Sequence, residues 1–294
     1  MKRPIFTGAC TAIITPFADD GIDFERLREQ LNFQIDNEIK AIVVAGTTGE
    51  NATLNEQEFA KLVSYVIRNS PEQMKKIVCI GGNSTKECSA KAELAECFGA
   101  DAVLMTTPYY NKSSQTGVIQ HFTYIADRSR LPLILYNVPG RTAIGITAQT
   151  YQILSEHENI NGVKEASGDI SLVSEIRAKC GDKLNVWSGN DDQTIPMMAL
   201  GAKGVISVAS NIIPGEINRV CQECLDGNYL LAAAAYQKIA EFCKLLFVEP
   251  NPIPIKAAMS ICGLDSGLLR LPLVEISQAN RKLLLDEMKT IGIA

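Results

Sequence analysis

Eight short apolar runs, mostly β-branched, recur along the whole chain at residues 11–15, 41–45, 77–81, 102–106, 133–137, 162–165, 185–188 and 204–208. Runs this short and this continuously apolar are strands covered on both faces. Between them lie stretches with the apolar spacing of helices, at 24–35, 56–68, 86–98, 117–127 and 170–178. Strands that alternate with helices lie parallel in one sheet, joined by crossovers. Eight such units favour a sheet closed on itself, the (β/α)8 TIM barrel, over an open doubly wound sheet. No Gly-x-Gly-x-x-Gly follows the first run, which further weakens a dinucleotide-binding fold.

After the eighth run the texture changes. From Pro214 onward only helical spacing remains, at 215–225, 229–247, 253–262 and 276–290, with Asn251-Pro252-Ile253-Pro254 breaking the second from the third. The expected class is therefore α/β, with the barrel and its active site over residues 1–213 and a C-terminal helical appendage over 214–294. No low-complexity linker separates the two, so the appendage is expected to pack on the barrel.

Charge and composition remove several functions. The net charge is -5 and the basic residues are scattered, which argues against nucleic acid or an anionic membrane as partner. No apolar run approaches the ~18 residues of a membrane span, and the start lacks the apolar core of a signal peptide. A soluble, cytoplasmic protein is expected. The nine cysteines, an odd number, sit in apolar contexts and read as reduced core thiols. Cys221 and Cys224 have a CxxC spacing, but no second pair completes a metal site. The two histidines, His121 and His157, each stand alone, so neither a histidine metal centre nor a triad is expected.

Catalytic groups in such barrels sit at the C-terminal ends of the strands. The sixth run ends in Gly162-Val163-Lys164-Glu165, and the small residues Ala166-Ser167-Gly168 leave space beside the lysine. Burial favours the neutral form of an amine, which is the form that attacks a carbonyl to give a Schiff base. An ordinary lysine at a strand end is the competing reading. After the second run, Gly46-Thr47-Thr48-Gly49-Glu50 can turn tightly and converge amides and hydroxyls on an anion, or can simply be a capped turn. After the fourth come Tyr109 and Tyr110, which equally suit packing or an interface. After the fifth, Tyr136 can face the barrel mouth while Pro139-Gly140 turns Arg141 toward the same opening, where its fork suits a carboxylate. Asp191 and Asp192 after the seventh would repel a phosphate. One amine, several hydroxyls, an anion nest and an arginine suit Schiff-base lyase chemistry on a small keto acid.

The segments Gly46-Thr47-Thr48-Gly49-Glu50, Thr107-Pro108-Tyr109-Tyr110, Tyr136-Asn137-Val138-Pro139-Gly140-Arg141-Thr142, Gly162-Val163-Lys164-Glu165-Ala166 and Asn251-Pro252-Ile253-Pro254-Ile255-Lys256 occur in this order across the chain. Together they resemble the dihydrodipicolinate synthase family of pyruvate-dependent class I aldolases. The arginine of Val138-Pro139-Gly140-Arg141-Thr142 is the narrower marker, since N-acetylneuraminate lyases lack it. The resemblance implies that Lys164 forms an imine with pyruvate, and that its enamine attacks L-aspartate 4-semialdehyde to give 4-hydroxy-tetrahydrodipicolinate. That product opens the diaminopimelate and lysine pathway. It further implies a hydroxyl relay of Tyr136, Thr47 and Tyr110, with Thr48 in the nest for the pyruvate carboxylate and Arg141 for the second substrate. Gly189 and Ile206 would line the pocket, and neither metal nor organic cofactor would be needed.

In the family Tyr110 reaches a neighbouring subunit, which implies a dimer, usually paired into a homotetramer. An effector cleft for L-lysine is implied as well. There Asn83, Glu87 and Tyr109 would hold the α-amino and carboxylate groups, Ala52 and Leu54 would frame the side chain, and Glu56 would attract the ε-ammonium. Phe59 is expected to offer its ring face to the same cation. Two other readings stay open: a different pyruvate-dependent aldolase, or a non-catalytic sensor built on the same barrel.

Overall fold

The computed structural model describes all 294 residues and closes eight parallel strands into a barrel. The strands are β1 (Gly8–Ala12), β2 (Ala41–Val44), β3 (Lys75–Cys79), β4 (Ala102–Thr106), β5 (Leu133–Asn137), β6 (Ile160–Glu165), β7 (Asn185–Ser188) and β8 (Gly204–Ser207). Helices α1 (Phe24–Asp36), α2 (Glu56–Asn69), α3 (Thr85–Phe98), α4 (Gln115–Ala126), α5 (Ala148–Ser155), α6 (Ile170–Cys180), α7 (Thr194–Ala199) and α8 (Pro214–Leu225) follow the strands in turn. Strand order in space follows the sequence, and β1 closes the ring by pairing with both β2 and β8.

Apart from a register shift at the start of β6, opposite Leu133 and Ile134, the strands keep a period of two, which a barrel imposes because successive side chains point to opposite faces. Cys10, Val43, Ile77, Leu104, Ile134, Tyr136, Trp187 and Ile206 fill the interior. Their neighbours Ile42, Val78, Val103, Leu135, Val163, Val186 and Val205 face outward into the larger core beneath the helices. Trp187 crosses the interior and stacks on Phe6, with ring centroids 5.0 Å apart. Its indole N–H donates to the Phe6 carbonyl at 3.2 Å. Gly162 makes that possible, since a Cβ there would lie 2.5 Å from the Trp187 ring. The barrel is thus plugged from the side where the strands begin and opens where they end.

The first strand starts at Gly8, earlier than the β-branched run 11–15 suggests. Gly8 pairs with Gly204 at the closing seam, and a Cβ on Gly204 would fall 1.9 Å from the Gly8 carbonyl oxygen. Only glycine permits this approach, and glycine gives no strand signal. Past Ala12 the chain leaves the ladder, and the Ile14 amide donates to Asn211 Oδ1 at 3.1 Å instead. A small antiparallel hairpin, Phe17–Ala18 with Gly21–Ile22, then leads into α1.

α8 packs on β1 and β8 as the eighth crossover helix of the ring, so position 213/214 falls between the last strand and its own helix. Cys221 and Cys224 both lie on this helix and are buried as free thiols. Beyond it, the expected helix 229–247 is two, α9 (Tyr229–Gln237) and α10 (Ala240–Leu245). Tighter bonds at Lys238 and Ile239 turn the chain between them, and Phe242, Cys243 and Leu246 are buried beyond the turn. α11 (Ile253–Ile261) and α12 (Gln278–Thr290) complete the C-terminal group, with α12 packed on both α10 and α11. No helix is long and apolar enough to cross a membrane.

His121, buried on α4, makes one hydrogen bond through Nδ1 to Thr85 Oγ1 at 2.8 Å, while Nε2 has no partner. Burial holds its pKa down, to about 4. Below the ordinary value of ~6.5 the unfolded chain takes up a proton that the folded chain refuses. This histidine therefore costs stability progressively as pH falls from ~6.5 toward 4, and its contribution is flat above that window. The fall in melting temperature between pH 6.5 and 4.5 should be smaller in His121→Gln than in the wild type. Equal falls would show that other groups govern acid sensitivity.

Candidate active site

Lys164 is the fifth residue of the six-residue strand β6, so the pleat directs its side chain inward just below the barrel mouth. It is 6% exposed. In register beside it stand Tyr136 on β5 and Trp187 on β7. The lysine ammonium lies 4.5 Å from the centroid of the Tyr136 ring. Space for the chain is provided by Gly189, where a Cβ would sit 3.0 Å from Lys164 Cε and 2.6 Å from Ala166 Cβ. Ile206 lines the interior with the same inward-facing set. One strand on, Asp191 is buried and pins the end of β8, its Oδ2 accepting from the amides of Val208 and Ala209 at 3.1 Å each. Burial pushes that carboxyl above the usual carboxylate range.

The turn after β2 brings Thr47 and Thr48 to the mouth. Ala45 and Glu50, at its two ends, both take the left-handed conformation, with φ of 54° and 52°. That conformation costs a non-glycine residue about 1–2 kcal/mol. What holds it is a buried ion pair, Glu50 Oε1 with Lys256 Nζ at 2.8 Å. Lys256 also donates to the Thr15 carbonyl at 3.0 Å, the Arg270 amide donates to Glu50 Oε2 at 3.1 Å, and Thr15 Oγ1 donates to the Gly49 carbonyl at 2.7 Å. Breaking such a pair by removing one partner costs about 3–5 kcal/mol, more than the strain it restrains. Lys256 is wholly buried and already engaged, so it offers no free amine.

Arg141 lies in a short helical turn, Pro139–Thr142, and its guanidinium donates to the Asn251 carbonyl at 3.1 Å. The Asn251 side-chain amide donates to Thr48 Oγ1 at 3.0 Å. One asparagine from the C-terminal region thus ties the anion turn to the arginine. A cavity of about 400 Å3 opens beside this group, lined by Thr47, Thr106, Val138, Arg141 and Asn251 at one end and by Ala52, Leu54, Glu87 and Tyr109 at the other. Lys164 and Tyr136 adjoin it and are not part of its wall.

Of the expected effector residues, Ala52, Leu54, Glu87 and Tyr109 share that cavity. Burial raises the Tyr109 phenol pKa, which keeps it a hydrogen-bond donor. Glu56 opens α2 on the exposed surface, and Asn83 lies outside the cavity wall, its carbonyl accepting from Asn111 at 2.9 Å. The expectation for Phe59 needs correction. Phe59 is buried, and Lys91 Nζ already lies 4.8 Å over its ring, so the face is taken. Tyr110 stands apart from Tyr136 and Thr47, 91% exposed and at φ 67°. Within one chain the three hydroxyls are not brought together.

Two further residues hold the site, Asn251 and Lys256 of the Asn251-Pro252-Ile253-Pro254-Ile255-Lys256 segment. Their sequence signal is a polar or charged side chain among prolines and isoleucines, an environment that buries it and so demands a partner.

The model of the dihydrodipicolinate synthetase family matches residues 5–291. The 4-hydroxy-tetrahydrodipicolinate synthase of Acetivibrio thermocellus is 41% identical over the full length of both chains. The crystal structure of the chloride-inhibited dihydrodipicolinate synthase of Acinetobacter baumannii complexed with pyruvate superimposes with a TM-score of 0.96 at 38% identity, covering 98% of this chain and 100% of that one. The enzyme of Cyanidioschyzon merolae with lysine bound gives 0.96 at 36% identity, covering 99% and 100%.

Gly189→Ala tests whether room beside the lysine matters. Overpacking a formed core costs about 1–3 kcal/mol, which a barrel of this size survives. Where a reacting group is displaced by ~1 Å, the rate falls by about 10²-fold. Imine formation with pyruvate, trapped by borohydride, should slow by about that factor while the protein stays folded. An unchanged trapping rate would show that Lys164 does not need the gap.

Proposed function

The chain belongs to the dihydrodipicolinate synthetase family, and we propose that Lys164 is the amine through which it works. Its reaction condenses pyruvate with L-aspartate 4-semialdehyde to give 4-hydroxy-tetrahydrodipicolinate, the first committed step toward diaminopimelate and lysine. The observation that carries the assignment is a nearly enclosed primary amine at a strand end, against a tyrosine ring and beside a gap left by glycine.

Lys164 Nζ adds to the keto carbon of pyruvate, and loss of water leaves an imine. Removal of a methyl proton gives the enamine, whose carbon attacks the aldehyde of the second substrate. The amino group of that substrate then closes onto the former keto carbon and releases the lysine. The pyruvate carboxylate is assigned to the turn at Thr47 and Thr48, between the left-handed Ala45 and Glu50, where backbone amides and hydroxyls suit an anion. Gly189 and Ile206 are assigned to the space around Lys164. The semialdehyde carboxylate is assigned to Arg141, which already points its guanidinium at the cavity rim.

Tyr136, Thr47 and Tyr110 are assigned to proton transfer. Because Tyr110 projects away from its own site, a second copy of the chain is inferred to receive it, and the working assembly is at least a dimer, with a homotetramer the fuller reading. A cytoplasmic location is inferred too, supported by nine cysteines that all remain thiols.

The far end of the cavity is assigned to L-lysine as an effector, held by Glu87, Tyr109, Ala52 and Leu54, with Asn83 and Glu56 at its edge. Lys91 changes its terms. Its ammonium occupies the Phe59 ring and adds a positive charge to the wall, so a cationic ligand meets repulsion where it would otherwise find a ring face.

Incubation with pyruvate and borohydride should give one adduct per chain, on Lys164, that disappears in Lys164→Ala. Full trapping on Lys256 would end the assignment. Mixing inactive Lys164→Ala with inactive Tyr110→Phe should restore some activity, and mixtures as dead as their parents would place Tyr110 outside the relay.

Calorimetry tests the cleft. L-lysine should bind weakly, and Lys91→Leu should tighten it several-fold, the size of one cation–π contact. An absence of binding heat in both proteins at millimolar L-lysine would sink the effector reading.

A further inference from the structure

Directly behind Lys164, on the outer face of the barrel, lies a buried carboxylate that the reaction described above does not use. Tyr136 faces Lys164 across the β5–β6 ladder, and the next pair in register is Asn137 with Glu165. The pleat that turns Tyr136 and Lys164 inward turns Asn137 and Glu165 outward. Glu165 is 2% exposed. Its Oε1 accepts from the Ser167 amide at 2.8 Å and from Asn137 Nδ2 at 3.0 Å. Its Oε2 accepts from the Tyr151 phenol on α5 at 2.8 Å and from the same Asn137 amide at 3.0 Å. Burial, and next the charge of Glu165, raise the Tyr151 pKa well above its ordinary value, so the phenol stays a donor.

These donors are all neutral. A carboxylate buried against neutral donors costs free energy that an apolar side chain of similar volume would not, so stability alone gives no reason for it. The ties it makes suggest one. Asn137 Oδ1 accepts from the Ile146 amide at 3.1 Å, and the Asn137 carbonyl accepts from the Ala166 amide at 2.9 Å. The Glu165 carbonyl accepts from the Gly189 amide at 2.7 Å. The ends of β5 and β6, the turn after β6, the approach to α5 and the start of the β7 loop are thereby fastened to one another. Tyr136, Lys164 and Gly189 sit on those segments.

The geometry points to Glu165, with Asn137 and Tyr151, as a positioning group that fixes Lys164 against Tyr136 while the imine forms. It touches no substrate and acts through the backbone of the residues beside it. This role rests on Lys164 being the reacting amine.

Three variants of the full-length protein test it: Glu165→Leu, Glu165→Gln and Tyr151→Phe. Leucine removes every tie. Glutamine keeps an oxygen for Ser167 and Asn137, and its NH2 can donate to a Tyr151 hydroxyl that turns to accept. Phenylalanine removes a single hydroxyl from the buried network. The readouts are kcat, the pyruvate KM, the rate of borohydride-trapped adduct and the melting temperature. Expected losses in kcat are about 10²-fold for leucine and about tenfold for Tyr151→Phe, with glutamine recovering most of the leucine loss. The pyruvate KM should stay within about threefold, because the carboxylate turn lies on β2 and is braced separately. If leucine prevents folding, the other two variants decide. A Tyr151→Phe kcat equal to wild type, glutamine no better than leucine, or a KM that rises as kcat falls would overturn the positioning role. Failure of the wild type to give an adduct on Lys164 would instead remove the assignment on which it rests.

Discussion

A closed barrel leaves each residue of a strand only two directions, and the working parts of this protein depend on that restriction. Lys164 and Tyr136 point inward because they share a rung of the ladder, and Glu165 and Asn137 point outward for the same reason. Closure in turn depends on one close contact, the seam between Gly8 and Gly204, where position 204 has no room for a side chain. A slip of one residue at that seam would exchange the inner and outer sets on the strands it joins. The interior then has a floor, made by Trp187 and Phe6, and a mouth, just below which Lys164 stands.

The mouth is not built by the barrel alone. Asn251 and Lys256 come from the C-terminal helical region, and each holds a part of the barrel mouth. Lys256 neutralises Glu50 beneath the anion turn, and Asn251 joins Thr48 to Arg141. The strain of the left-handed residues in that turn is restrained by groups some two hundred positions away in the chain. The C-terminal helices thereby act as a brace for the turn.

The sequence made the repeating pattern legible, because period and β-branching are local properties. Eight apolar runs and their intervening helices are enough to imply the barrel, and the placement of Lys164, Tyr136 and the glycine turn at strand ends follows from it. The start of β1 was hidden because its decisive residue is glycine, which carries no propensity for a strand. The break between α9 and α10 was hidden because an unbroken helical spacing runs across it. Phe59 departs from its expected role for another reason: an aromatic ring can be recognised in a sequence, whereas the cation already resting on it, Lys91, belongs to the next helix. Glu165 was equally silent, since its partners lie 28 and 14 residues away and meet it only when the strands pair.

Trp187 is the chain's single tryptophan, and it lies in register beside Lys164 with its ring against Phe6. The intrinsic fluorescence of the protein is therefore a signal from one place. Its emission reports the polarity of the barrel interior, undiluted by any indole on the surface. Loss of the Phe6 stack on unfolding exposes that ring to water. The plug that seals the barrel is thus also an optical probe, set one strand away from Lys164.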